Sequence, residues 1–133
     1  MTQLIKLAAI GAVAFMVLDG VWLGLLMKNF YRDQLAPIVR LGSSGGIAPN
    51  WPAALVVYAL LGTGIALFVI PRAPTVPLAA VYGAVFGLVV YGVYDFTNYS
   101  TLRQYPLVLA LTDVAWGVVA SAACAAAVRF MVR

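Results

Sequence analysis

Four long apolar runs, separated by polar connections, divide the chain. The runs cover residues 4–27, 52–70, 78–99 and 107–128. At 1.5 Å of helix per residue, each run approaches or exceeds the hydrocarbon thickness of a bilayer, about 30 Å. The connections after the second and third runs are short, so consecutive runs should lie antiparallel. The pattern predicts one membrane domain, residues 1–133, folded as an all-α four-helix bundle, up-down-up-down, with both termini on the same side.

The first connection, residues 28–50, is longer and has two interpretations. Apolar side chains recur along it at helical spacing: Tyr31, Leu35, Ile38 and Val39. This spacing favours a short helix at the membrane surface, ended by the glycine-rich turn at 42–46. Because Pro37 interrupts the pattern, an unstructured loop is the alternative.

Composition and charge agree with a membrane protein. Hydrophobic residues make up 65% of the chain and charged residues 9%, so the lipid bilayer is the first expected partner. Lysine and arginine are scattered at the ends of the runs, which is typical of membrane flanks and argues against a nucleic-acid partner. They divide equally between the two sides, and their closeness to helix ends on the terminal side favours cytoplasmic termini.

The residue types exclude several kinds of site. The chain has no histidine, so imidazole catalysis, haem and histidine-ligated metals are not expected. Its one cysteine, Cys124, cannot form an intrachain disulfide and lies among alanines, which favours a packing role.

Three of the four acidic residues lie inside apolar runs. Asp19 lies eight residues before the end of its run, and Asp113 lies six residues after the start of its own. Both should therefore lie roughly 9–12 Å from the same membrane face, the one away from the termini. Asp95 lies near that face too. Each ionised carboxylate costs roughly 2.5–3.5 kcal/mol at such a position, which makes a functional site the default hypothesis.

Helical spacing relates two of these acids. On the third run, Gly83 and Gly87 lead by steps of four to Tyr91 and Asp95. Small residues follow Asp113 at the same spacing on the fourth run: Gly117, Ser121 and Ala125. If these two stripes face each other, the backbones approach closely and the two acids meet. The alternative is that Gly83 and Gly87 form a homodimer interface.

The candidate ligand-binding side chains are these acids with the polar and aromatic residues beside them. They are Asp19, Trp22, Tyr91, Tyr94, Asp95, Asn98, Asp113 and Trp116. The acids alone are the candidates for an oxygen-ligated divalent cation such as magnesium, calcium or manganese. The competing interpretations are an aromatic belt, interfacial tryptophans, and carboxylates that bond neighbouring helices or pair with Arg103. Adjacent carboxylates repel, so one must take up a proton, recruit a cation or be neutralised.

A set of motifs is spread over the chain: Asp19-x-x-Trp22-Leu23-Gly24, Tyr31, Tyr58, Gly83-x-x-x-Gly87, Tyr94-Asp95-x-Thr97-Asn98-x-x-Thr101-Leu102, Pro106 and Asp113-x-x-Trp116-Gly117. Through these motifs, nearly the whole chain resembles a bacterial family of small predicted inner-membrane proteins that is catalogued as a domain of unknown function. Tyr105 departs from the family, which has tryptophan before the proline. The resemblance implies four membrane spans and location in the bacterial inner membrane, but no established activity.

Three functions remain open on the sequence. The first is a binding or transport-type membrane protein whose polar cluster holds a cation, a proton or a polar lipid head group. The second is an intramembrane enzyme that uses paired carboxylates as acid and base on a lipid or isoprenoid. The third is a structural assembly subunit, in which the acids only hold the helices in register.

Overall fold

The computed structural model describes residues 1–132 and is helical almost throughout. Its helices are α1 (Thr2–Leu26), α2 (Lys28–Gln34), α3 (Trp51–Arg72), α4 (Val76–Thr101) and α5 (Leu107–Met131). The last turns of α1 and α3 widen into π-helical turns at Trp22–Leu26 and Ile65–Val69, and α3 ends in a 3₁₀ turn. All except α2 are long and apolar enough to cross a membrane, as the four runs predicted.

Local capping explains where the second and third spanning helices begin. The Asn50 side chain accepts a hydrogen bond of 3.3 Å from the backbone N–H of Ala53 at the start of α3. The Thr75 hydroxyl accepts one of 3.4 Å from the Leu78 N–H at the start of α4. Both helices have proline in the first turn, where its missing N–H costs no helical hydrogen bond.

Close backbone contact joins α4 to α5. A Cβ atom added at Gly83 would lie 2.5 Å from the carbonyl oxygen of Ser121, and one at Gly87 would overlap the carbonyl oxygen of Gly117. Only glycine allows this approach. The two stripes therefore face each other, as predicted. Gly83 and Gly87 are buried against α5 of the same chain, and the homodimer stays a prediction.

The remaining spans pack around this pair. A Cβ at Gly62 of α3 would lie 2.6 Å from the backbone nitrogen of Ala12 in α1. The Cys124 thiol of α5 donates a 3.4 Å hydrogen bond to the carbonyl oxygen of Gly11, which supports the predicted packing role. Arg129, near the end of α5, donates to the carbonyl oxygen of Pro74 between α3 and α4. These contacts fit the predicted antiparallel order, with both termini at the same end.

We call the end of the bundle that carries the termini the terminal side, and the opposite end the far side. On the far side, α2 ends at Gln34, and the chain then turns through an isolated bridge between Leu41 and Ile47. Gly45 supplies the positive φ of 76° in that turn. A helix thus forms in this connection, as predicted, but it is short, because only Tyr31 and Leu35 of the apolar face pack against the bundle while Ile38 is exposed. Its position at the membrane surface stays a prediction.

Candidate functional site

The three intramembrane acids converge in the far-side half of the bundle. Asp19 lies in α1, Asp95 in α4 and Asp113 in α5. Asp95 is fully buried and Asp19 is 8% exposed. The antiparallel packing of α4 on α5 sets Asp95 beside Asp113, where their carboxyls interact, as the facing stripes predicted.

Asp113 is bound from the far side of the bundle by α2. The Tyr31 hydroxyl donates a hydrogen bond of 2.6 Å to its Oδ1, and the Trp22 indole N–H donates one of 3.1 Å to the Tyr31 oxygen. This relay explains why Tyr31 is buried although α2 has only seven residues. A short surface helix thus covers the far end of the acid cluster.

Asp19 is bound by the tryptophan of the other Asp-x-x-Trp motif. The Trp116 indole N–H donates a 2.8 Å hydrogen bond to Asp19 Oδ1, and Tyr58 of α3 approaches the same carboxyl. Trp22 and Trp116 stack with ring centroids 4.4 Å apart and planes 2° from parallel. The stacked pair therefore connects the hydrogen bonds at Asp19 with those at Asp113.

Asp95 has one satisfied oxygen and one unsatisfied oxygen. The Tyr105 hydroxyl donates a 2.5 Å hydrogen bond to Oδ1. Within residues 1–132, no donor reaches the buried Oδ2. Besides Tyr105, the carboxyl of Asp113 interacts with the Asp95 carboxyl. Two neighbouring ionised carboxylates repel each other, so a shared proton or a bound cation would stabilise the pair.

Basic side chains do not neutralise the cluster in the part of the chain that the structure describes. The ion pair found there joins Arg32 to Asp33 at 2.9 Å on the surface. Arg103 is exposed and makes no ion pair with the acids, so neutralisation by Arg103, one of the sequence-based alternatives, does not occur. The cluster thus holds three carboxyls without a countercharge from residues 1–132.

The two tyrosines outside the spans are held as neutral donors. Burial, followed by the nearby Asp113 carboxylate, raises the pKa of Tyr31 above its ordinary value. Burial, followed by the hydrogen bond to Asp95, raises the pKa of Tyr105. Both phenols therefore keep their protons at any physiological pH and donate them to carboxylate oxygens.

Comparison with known proteins gives a family. The family described as "Predicted membrane protein (DUF2177)" matches residues 4–130, nearly the whole chain. The chain belongs to this family. No curated protein and no solved structure matches it. DUF2177 membership agrees with the resemblance drawn from the motifs. Together with the four helices long enough to span a membrane, it supports a multi-pass membrane protein, and it names no activity.

Not every predicted site residue of this DUF2177 protein lies in the cluster. Tyr91 does, because it packs against Gly117 and interacts with Asp19 and Asp113. Tyr94 is 59% exposed to the surroundings of the bundle, and Asn98 lies half-buried one turn beyond Asp95. Neither makes a hydrogen bond to the three acids within the described residues.

Sequence reasoning missed three tyrosines that contact the acids. They are Tyr31, Tyr58 and Tyr105. The first two were already among the residues that carry the family resemblance, and Tyr105 was the position where this chain departs from it. Tyrosine and tryptophan both carry a hydrogen-bond donor, but the tyrosine O–H and the indole N–H lie at different distances from the backbone. Here the hydroxyl of Tyr105 donates to Asp95.

The acids do not form a metal site by themselves. No group of three histidine, cysteine, aspartate or glutamate residues suited to hold a metal ion occurs between residues 1 and 132. The structure therefore gives no support to divalent-cation ligation by Asp19, Asp95 and Asp113 alone.

Proposed function

We propose that this membrane protein binds protons at the carboxyl cluster and exchanges them for a positively charged group of a membrane ligand. The observation that carries the proposal is the Asp95 carboxyl, which is fully buried, with one oxygen bonded to Tyr105 and the other without a donor. An unsatisfied carboxylate at this depth is costly, whereas a proton shared with Asp113 removes the cost. We further propose the bacterial inner membrane as its location, which the family resemblance implies.

The surroundings of the pair support exchange rather than permanent neutralisation. The titratable groups around the three acids come from every packed element: Asp19 on α1, Tyr31 on α2, Tyr58 on α3 beside Asp19, Tyr91 on α4 and Tyr105 before α5. All of these are acids or phenols. A paired lysine or arginine would hold the carboxylates charged at all times, but no basic side chain among residues 1–132 pairs with them.

Infrared difference spectroscopy of the purified protein tests the proposal. At neutral pH the wild type should show a protonated carboxyl band that Asp95→Asn removes. Asp33→Asn is the matched control, because Asp33 is exposed and pairs with Arg32 at the surface; it should leave the band unchanged. If wild type has no protonated carboxyl band, or if Asp95→Asn and Asp113→Asn both retain it, the proposed proton site does not exist.

A further inference from the structure

A groove runs along the seam between α1 and α5 on the outside of the bundle. Its larger part has a volume of about 660 Å³ and is lined by apolar side chains and the Cys124 thiol, among them Val13, Ala14, Ala123 and Ala127. This volume is within the range of ligand sites. The smaller part, of about 420 Å³, is lined by Trp22, Thr112, Trp116 and neighbouring apolar residues.

The two parts follow each other along the seam, because Leu18 and Ala123 line the larger part and Trp22 and Val119, one helical turn away, line the smaller. Their linings on α5 include Thr112, Trp116, Val119, Ala123 and Ala127. Steps of three and four residues place these side chains on one face of a helix. From Thr112 to Met131, which lines the terminal-side end, the groove extends about 28 Å along α5. It is therefore longer than the roughly 15 Å filled by the chains of one leaflet.

The far-side end of the groove lies against the acid cluster. Trp116 lines the groove and donates its indole N–H to Asp19 at 2.8 Å, so a single indole ring separates the groove from a carboxyl. In the proposed state one proton is shared between Asp95 and Asp113, and the remaining carboxyls carry negative charge that no base among residues 1–132 balances. A phosphate or carboxylate head group would be repelled here, whereas an ammonium would be attracted by the acids and by the indole rings.

We propose that this groove binds a single-chain membrane amphiphile with an ammonium head group. The head lies against Trp22 and Trp116, and the chain lies along Ala123 and Ala127 towards the terminal side. The assignment rests on the proposed function, because the acid cluster supplies the charge that selects the head group. It adds the class of ligand: one apolar chain and one positive charge.

Tryptophan fluorescence in neutral maltoside micelles tests the assignment. Trp51→Phe removes the exposed tryptophan at the start of α3 and leaves the stacked pair as the reporter. The probes are three amphiphiles with the same bromine-labelled chain and an ammonium, alcohol or carboxylate head. Bromine on the bound chain quenches the indoles. The ammonium probe should reach half-maximal quenching at a concentration about tenfold below that of the carboxylate probe.

A pair of alanine variants separates the groove from general partition into the micelle. Ala127→Phe fills the groove and should weaken saturable quenching, whereas Ala59→Phe, on an exposed position of α3, should not. Equal quenching by all three probes, or equal effects of the two variants, would overturn the assignment. A dimer whose interface covers the groove and excludes all three probes would also overturn the assignment. If the protonated carboxyl band is present but the ammonium probe fails, only this inference fails and the proposed proton site stands.

Discussion

At the scale of single residues, the site depends on tyrosines as much as on acids. Tyr31 and Tyr105 lie outside the spans, yet each donates a hydrogen bond to a carboxyl of a spanning helix. A phenol can do this without bringing a positive charge. The two hydrogen bonds thereby position the carboxyls of Asp113 and Asp95 without bringing a positive charge to them.

We expect Tyr105→Phe to lower the free energy of unfolding by about 1–3 kcal/mol at neutral pH, because the buried Asp95 carboxyl loses its donor. The dependence of stability on pH in the alkaline range should change as well. The pKa of Tyr105 is raised in the folded state, so its contribution to stability is complete below about pH 10 and is lost as the pH rises through the folded-state value. Melting temperatures from neutral to strongly alkaline pH should therefore fall less steeply in Tyr105→Phe than in wild type.

Tyr99→Phe is the control for this comparison, because Tyr99 is 44% exposed on the same helix as Asp95. It should follow the wild-type curve at every pH. Identical curves for wild type and Tyr105→Phe would mean that the Tyr105 hydroxyl does not hold the carboxyl.

At the scale of helices, the position of the site depends on how closely α4 approaches α5. Gly83 and Gly87 set that approach, and Asp95 lies two turns beyond Gly87 on the same stripe. Any increase in the distance between these helices would separate Asp95 from Asp113. Packing and site geometry are therefore coupled along one helical face.

A pair of glycine variants on α4 tests this coupling. A Cβ at Gly87 would overlap the Gly117 backbone, whereas a Cβ at Gly92 would meet nothing within 4 Å. Gly87→Ala should lower the free energy of unfolding by about 1–3 kcal/mol. Gly92→Ala should be neutral or raise it by up to about 1 kcal/mol, since alanine favours helix. Thermal unfolding in detergent measures both, and equal destabilisation would show that α4 and α5 do not pack through this stripe.

Spans and stripes could be predicted because hydrophobic length and four-residue spacing are local properties of the chain. They predicted that Asp95 lies beside Asp113 and that Asp19 lies at about the same depth in the membrane as Asp113. The length of α2 could not be predicted, because it depends on the pocket that receives Tyr31 between α1 and α5. For the same reason Tyr94 was expected in the site and Tyr105 was not: sequence gives a helical face, but the neighbour on that face is decided by packing.

At the scale of the whole molecule, the bundle is polarised. Its exterior is apolar over all four spans, while the buried carboxyls lie in the far-side half and the termini lie at the opposite end. A ligand in the groove would have its chain towards the terminal side and its charge towards the far side. The fold thus gives the site a direction relative to the membrane.

Cysteine labelling tests this polarity. Ser44→Cys and Gln104→Cys, both exposed on the far side, should react with a membrane-impermeant maleimide added to one side of sealed vesicles. Thr75→Cys, exposed between α3 and α4, should react only from the opposite side. The native Cys124 is buried and serves as the unreactive background. Reaction of all three positions from one side would contradict the up-down-up-down order.

The one-sided depth of the acids has an electrical consequence. Asp113 lies six residues inside α5, so a cation that reaches the cluster from the far side crosses about a third of the hydrocarbon thickness. A transmembrane voltage then acts on that cation with about 0.8 kcal/mol per 100 mV, roughly a fourfold change in occupancy. The sign of this change depends on whether the far side faces the positive or the negative compartment. A transmembrane voltage would thus regulate cation occupancy of the cluster, and the sign of this effect would report the orientation of the protein in the membrane.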